Sequence, residues 1–196
     1  VGPIILNRIV SHTRKPLTVL NIIISTPENR QGAVRAGLQL GKHLSEFADV
    51  DTVKMEGKYD EQLASELALS NGIHQTPSRT ALRDIVTFLG GTEENYENTM
   101  IWTELITPRP LSKYDIAHIH NPVPLWGFIS ASVRCQLAKL PYVVTTHGIS
   151  KIPDLPRDMD MGPAMSKIFE YSFVYPYRYV LANADHLFAL SSSDID

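Results

Sequence analysis

The sequence predicts an α/β fold: a doubly wound, mainly parallel sheet of Rossmann-like type, in one domain spanning residues 1–196. Three observations predict it. Apolar runs of strand length alternate with stretches of helical spacing. The turns between them are short, as in βαβ units. Several runs are apolar throughout rather than alternating, the pattern of strands buried on both faces.

Taken in order, residues 16–25 (PLTVLNIIIS) form a β-branched apolar run whose second half reads as a strand. A polar loop follows over 27–32 (PENRQG), with Gly32 at the entrance of a helix. That helix, AVRAGLQLGKHLSEF, carries Val34, Leu38, Leu40, Leu44 and Phe47 at helical spacing. Residues 50–55 read as a second strand, and 59–71 as a helix stopped by Gly72. Between 73 and 113 the pattern weakens. RTALRDIVTFLGG reads as a helix with a glycine end, and NTMIWTELI as a strand or a short helix.

The alternation then sharpens. Residues 114–120 read as a strand, 121–126 as a proline-containing loop, 127–140 as a helix and 141–146 as a strand. A loop over 147–162 precedes a long helix over 163–184, broken or bent near Pro176. Residues 186–190 form a last short strand.

Composition excludes several classes. The net charge of −3 and the dispersed basic residues argue against a nucleic-acid partner. A single cysteine, Cys135, excludes an internal disulfide framework and a cysteine-based zinc site, and fits a reducing compartment. No apolar stretch approaches the ~18 residues of a membrane span. Neither G-x-G-x-x-G nor a P-loop is present, which disfavours nicotinamide binding.

In open α/β sheets, ligands bind at the carboxyl ends of strands. His118 and His120 close one predicted strand and share a face. His147-Gly148 follows the end of the next, and Gly32 follows the first. One reading of the histidines is a metal-dependent hydrolase using His118, His120 and His147. The other reading leaves His118 packed and hydrogen-bonded in the sheet, with His120 and Asn121 at the strand–loop junction and His147 in the crevice. Arg30 and Arg35 flank the first loop and read either as anion partners or as solvated charges. The loop segment KIPDLPRDMD lacks the oxygen spacing of an EF-hand and reads as a lid or acceptor loop. Tyr171, Tyr175 and Tyr179 fall on one helix face and read as a core face.

The segments YDIAHIHNP, LPYVVTTHGIS and NADHLFALSSSD, in that order and separated by helices, resemble the N-terminal domain of the retaining GT-B glycosyltransferases of family 4. The resemblance is good over 112–196, fair over 17–56 and poor over 57–111. It implies one half of a two-domain architecture: an acceptor-binding domain facing a C-terminal donor-binding domain that this chain does not contain. It implies transfer of a sugar from a nucleotide-sugar to a sugar, lipid or small-molecule acceptor, with retention, without an essential metal or further cofactor. By the same resemblance, His147 is the catalytic-site histidine that contacts the donor sugar. Gly32 offers its backbone to the donor diphosphate or the acceptor, and His120 and Asn121 line the acceptor side; Gln31, beside Gly32, and Gly148, where the backbone can lie close to a ligand, are further candidate binding residues. The family often has two adjacent glycines in the first loop; here the pair is Gln31-Gly32.

The arginine–lysine clamp and paired glutamates that hold the donor belong to the C-terminal domain. This chain alone is therefore expected to be inactive, being truncated or split between polypeptides, and to need that domain or a partner subunit. An exposed interdomain face would favour self-association. The implied setting is the cytoplasm, with the inner membrane face as a further site of action. A non-catalytic α/β binding domain is the remaining alternative.

Overall fold

The structure is a computed structural model, and it describes residues 16–26, 29, 32–55, 57–69, 73–76, 78–79, 101–102, 110–121, 124–146, 154–158 and 161–189. Its centre is a six-stranded sheet formed by β1 (Thr18–Ile23), β2 (Asp49–Met55), β3 (His74–Thr76), β6 (Ile116–His120), β7 (Tyr142–Thr146) and β8 (His186–Ala189). The strand order is β3-β2-β1-β6-β7-β8, and every pair is parallel. The short strands β4 (Ser78–Arg79) and β5 (Ile101–Trp102) pair antiparallel, apart from this sheet.

The order reverses between β1 and β6. Right-handed crossovers put helices on opposite faces when strands are added in opposite directions. Thus α1 (Ala33–Leu44) and α2 (Asp60–Glu66) serve the β1–β2–β3 side, whereas α3 (Leu125–Leu137) and the helices between β7 and β8 serve the other. This is the doubly wound α/β architecture expected from the sequence.

The larger core lies under the second set. Leu20, Ile22, Val53, Met55, Ala117, Ile119 and Val144 pack with Phe128, Ala131 and Cys135 of α3 and with Tyr177 and Val180 beyond it. Each fully buried aliphatic side chain of this kind contributes about 1.5–3 kcal/mol. Tyr142 is wholly enclosed; its hydroxyl donates to the Val180 carbonyl and accepts from Gln136 Nε2 at 2.9 Å. Two aspartates tie strand beginnings together. Asp115 Oδ2 accepts from the Thr18 amide at 2.8 Å, and Asp185 Oδ2 from the Tyr142 amide at 2.9 Å.

The opposite face is more polar. Thr52, Asn21, His118, Val143 and His186 form one row across the sheet, and Lys54, Ile23, His120, Thr145 and Phe188 form the next. Helix α1 lies directly on these rows because two of its glycines face them. A Cβ on Gly41 would stand 2.5 Å from both Asn21 Nδ2 and Thr52 Oγ1, and one on Gly37 would stand 3.1 Å from His120 Cγ. Asn21 Nδ2 bridges the contact, donating to the Gly37 carbonyl at 3.0 Å and to Thr52 Oγ1 at 3.2 Å. Val34 and Leu38 complete a smaller core with Ile23 and Leu63.

Several boundaries differ from expectation. The helix expected over 59–71 ends at Glu66, where Ala68 turns left-handed (φ 48°) and the Leu69 amide reaches the Ala64 carbonyl at 3.0 Å. Helix α3 begins at Leu125, before Gly127, and ends the same way. Lys139 is left-handed (φ 55°), and the Leu140 amide reaches the Cys135 carbonyl at 2.9 Å. Both are Schellman ends without glycine, fixed by burial of Leu140 in one case and by packing of Leu69 in the other. Phe47, expected on the core face of the first helix, lies past its end and is 81% exposed. Arg79 belongs to β4, and the rest of the helix expected from it lies outside the described residues; Ile101–Trp102 is a strand.

The loop expected over 147–162 contains a short helix, α4 (Leu155–Asp158). The long helix that follows is three pieces: α5 (Pro163–Phe169), a π turn (Glu170–Val174) and α6 (Tyr175–Ala182). Pro176 has no amide hydrogen for the carbonyl four residues back, and the widened turn absorbs the defect just before it. Tyr171, Tyr175 and Tyr179 do share a face, but it is the exposed one; the core face is carried by Tyr177 and Val180. No helix among the described residues is long and apolar enough to cross a membrane.

Candidate functional site

The strand order reverses between β1 and β6, so a crevice opens at their carboxyl ends. Three chain segments meet beside it: the end of β1 with Ser25, the start of α1 with Gly32, and the end of β6 with His120 and Asn121.

Gly32 caps α1 with φ 46° and ψ −109°, a conformation that a side chain resists, and nothing stands within 4 Å of where its Cβ would be. Gly32 has no side chain to cap the helix, and the first turn holds no acidic residue. The positive end of the helix dipole therefore points towards the carboxyl edge of the sheet. Helix α1 sets Gly41 over Asn21 and Gly37 over Ile23, so its start points towards the carboxyl end of β1, where Ser25 follows the strand. The Ser25 hydroxyl is fully buried and has no hydrogen-bond partner among the described residues. Arg35, a candidate anion partner, instead pairs with Glu66 on the surface, and Arg30 lies outside the described residues.

Asn121 sits at the strand–loop junction in a left-handed conformation, φ 67°. Its Nδ2 donates to the Ile24 carbonyl at 3.0 Å, and its amide approaches the Thr145 carbonyl at 3.4 Å. The Ile24 amide in turn donates to the His120 carbonyl at 3.0 Å. These bonds pin the ends of β1, β6 and β7 to one another. Asn121 is buried, and this amide donor serves the scaffold.

His118 and His120 share a face, as expected, with ring centroids 4.0 Å apart. His118 Nε2 and Thr145 Oγ1 share a hydrogen bond of 2.7 Å, and the Phe188 ring lies 5.7 Å away. Burial pushes the His118 imidazole down to about 4, so it is neutral at pH 7. His118 is thus the packed, hydrogen-bonded residue of the second sequence reading. His120 is also buried, under Gly37 of α1. Among the described residues, no three histidine, cysteine, aspartate or glutamate side chains gather as a metal site. His147, Gly148 and Gln31 lie outside the described residues.

Sequence reasoning overlooked a buried ion pair near the carboxyl end of β2. Lys54 Nζ lies 2.8 Å from Asp60 Oδ1 and donates to the Met55 carbonyl at 2.8 Å. Asp60 Oδ2 also accepts from the Gly57 amide at 3.0 Å and from Gln75 Nε2 at 3.1 Å. Burial lowers the Lys54 pKa, and the bond and charge of Asp60 oppose that shift. A lysine inside the run VDTVKM was the available signal, because a cation in a buried strand must carry its partner with it. In the acidic loop, Asp154 pairs with Arg157 at 3.4 Å on the surface.

No family model matches this chain, and no curated protein matches it significantly.

Proposed function

We propose that this chain is the acceptor-binding domain of a glycosyltransferase that moves a sugar from a nucleotide-sugar to an acceptor hydroxyl with retention of configuration. The acceptor oxygen gains the glycosidic bond and loses its proton, and the nucleoside diphosphate leaves. The observation that carries the reading is the switch point between β1 and β6. The start of α1 at Gly32, the buried Ser25 that follows β1, and His120 and Asn121 at the end of β6 all belong to its carboxyl edge. Strands β6 and β7, which lie within the ordered motifs YDIAHIHNP and LPYVVTTHGIS, end at this same edge of the sheet.

An uncapped helix start suits a phosphate or a polar acceptor group. In this reading, His147 and Gly148, just past β7, complete the crevice, with His147 hydrogen-bonding the sugar as the leaving group departs. Gln31 offers backbone beside Gly32, and His120 supports the acceptor side from below. Efficient transfer requires a donor-binding domain, because stabilising the leaving diphosphate is most of the catalytic work. In this reading the reaction runs in the cytoplasm, or at the inner membrane face for a lipid acceptor.

The test uses His147→Ala in the protein expressed from the complete reading frame, with transfer followed by proton NMR of the product anomer. The expected result is a retained anomeric configuration and a fall of at least ~10²-fold in kcat, the scale of one lost transition-state contact. Normal turnover by His147→Ala would remove His147 from the site. Inverted product would remove the family reading.

A further inference from the structure

The helical stretch from α5 through the π turn to α6 is apolar on two opposite sides. Its inner side carries Phe169, Phe173, Tyr177 and Val180, which pack on the large core. Its outer side carries Met165, Ile168, Tyr171, Tyr175 and Tyr179, each between 48% and 69% exposed. The rings of Tyr171 and Tyr175 touch, with centroids 5.3 Å apart, so the outer residues form a continuous stripe across the π turn. A helix that is apolar on both sides is characteristic of a buried helix, and contiguous exposed patches of this kind mark interaction surfaces.

We propose that this stripe is a homodimer interface, on which a second copy of the chain lays its own stripe antiparallel about a two-fold axis near Tyr171. The stripe is polarised along its length. Its first half is aliphatic and flexible, with Met165 and Ile168; its second half is aromatic, with Tyr175 and Tyr179. An antiparallel copy sets Met165 against Tyr179 and Ile168 against Tyr175, which gives thioether–aromatic and aliphatic–aromatic contacts twice over. Tyr171 meets its own copy at the axis.

The area suffices. Aromatic side chains bury about 150–250 Å² each. At the observed exposures the five residues offer on the order of 500 Å² per copy, hence about 1,000 Å² in total, the threshold for a specific interface. Lys167, Glu170 and Arg178 supply a rim of mixed charge. A lipid surface fits less well, because the helix carries no cluster of basic residues for anionic headgroups: Lys167 and Arg178 stand apart, with Glu170 between them. The interface is carried by the stripe alone and does not depend on the functional reading.

The experiment is sedimentation velocity on the protein expressed from the complete reading frame across the micromolar range. It is paired with mild oxidation of Tyr171→Cys and with flotation on phosphatidylcholine–phosphatidylglycerol vesicles. The wild type is expected to sediment at twice the monomer mass at the upper end of that range. Tyr171→Glu/Tyr175→Glu is expected to remain monomeric with an unchanged far-ultraviolet spectrum. Tyr171→Cys is expected to form an intermolecular disulfide, while the wild type, whose Cys135 is buried, forms none. A monomeric wild type overturns the proposal. So does a dimer that survives the double substitution, or stripe-dependent flotation of a monomer. If the double variant does not fold, the Tyr171→Cys cross-link decides: its absence from a dimeric protein places the interface elsewhere.

Discussion

Asn121 donates from Nδ2 to the carbonyl of Ile24 at 3.0 Å, and it does so from a left-handed backbone at φ 67°. The residue thereby joins the ends of β1 and β6 at the point where the strand order reverses. Asparagine suits this place on two grounds: its short polar side chain tolerates the left-handed region, and its amide reaches a backbone acceptor nearby.

Asn121→Ala therefore loses a buried bond and adds backbone strain. Equilibrium urea unfolding is expected to show a loss of about 2–4 kcal/mol. Asn121→Gly relieves the strain but not the lost bond, so it should fall between the alanine variant and the wild type. Equal losses for both would mean that backbone conformation contributes nothing.

His118 predicts an acid limb in stability. Its folded pKa is about 4, against 6.5 for the free side chain. Between those values the unfolded chain binds the extra proton, so stability is fully present above pH 6.5 and declines as pH falls towards 4. The full loss amounts to about 3 kcal/mol. His118→Gln retains a hydrogen-bonding partner for Thr145 without the titration, and its stability should change less over that window in pH-dependent denaturation. An unchanged slope would assign the acid limb to other groups.

Gly41→Ala sets helix propensity against packing. Alanine gains about 1 kcal/mol in a helix interior. Its Cβ, however, would come within 2.5 Å of Asn21 Nδ2 and Thr52 Oγ1. Overpacking of this order costs about 1–3 kcal/mol, so a net loss in thermal melts is expected. A stabilised variant would show that α1 can lift from the sheet at no cost.

Lys54→Met strands a buried carboxylate. Removing one partner of a buried pair costs about 3–5 kcal/mol. Replacing both, as Lys54→Met/Asp60→Asn, should recover much of it. A double-mutant cycle in urea reads the difference, and strict additivity would mean that the two groups act independently.

Strand β1 was legible because it is a long apolar run, TVLNII, buried at every position; the short polar β3 (His74–Thr76) gave no such signal. The histidine pair at the end of β6 was legible from a spacing of two. Helix ends were not, because Ala68 and Lys139 occupy the left-handed positions where glycine is the usual signal. The tyrosine stripe was misassigned for a related reason. Spacing states which residues share a face, and only packing states which face is inward; Phe169, Phe173, Tyr177 and Val180 hold the inner one. Ser25 and Thr145 gave no sequence signal, since hydroxyl residues in strands are common and their importance here comes from what stands beside them.

The most direct test of the proposed activity is release of nucleoside diphosphate from a panel of uridine-, guanosine- and adenosine-diphosphate sugars by the protein expressed from the complete reading frame. The proposal predicts acceptor-dependent release from at least one donor, unaffected by chelator. Silence across the panel, together with stoichiometric zinc in protein purified without chelator, would contradict it and favour the histidine-metal hydrolase.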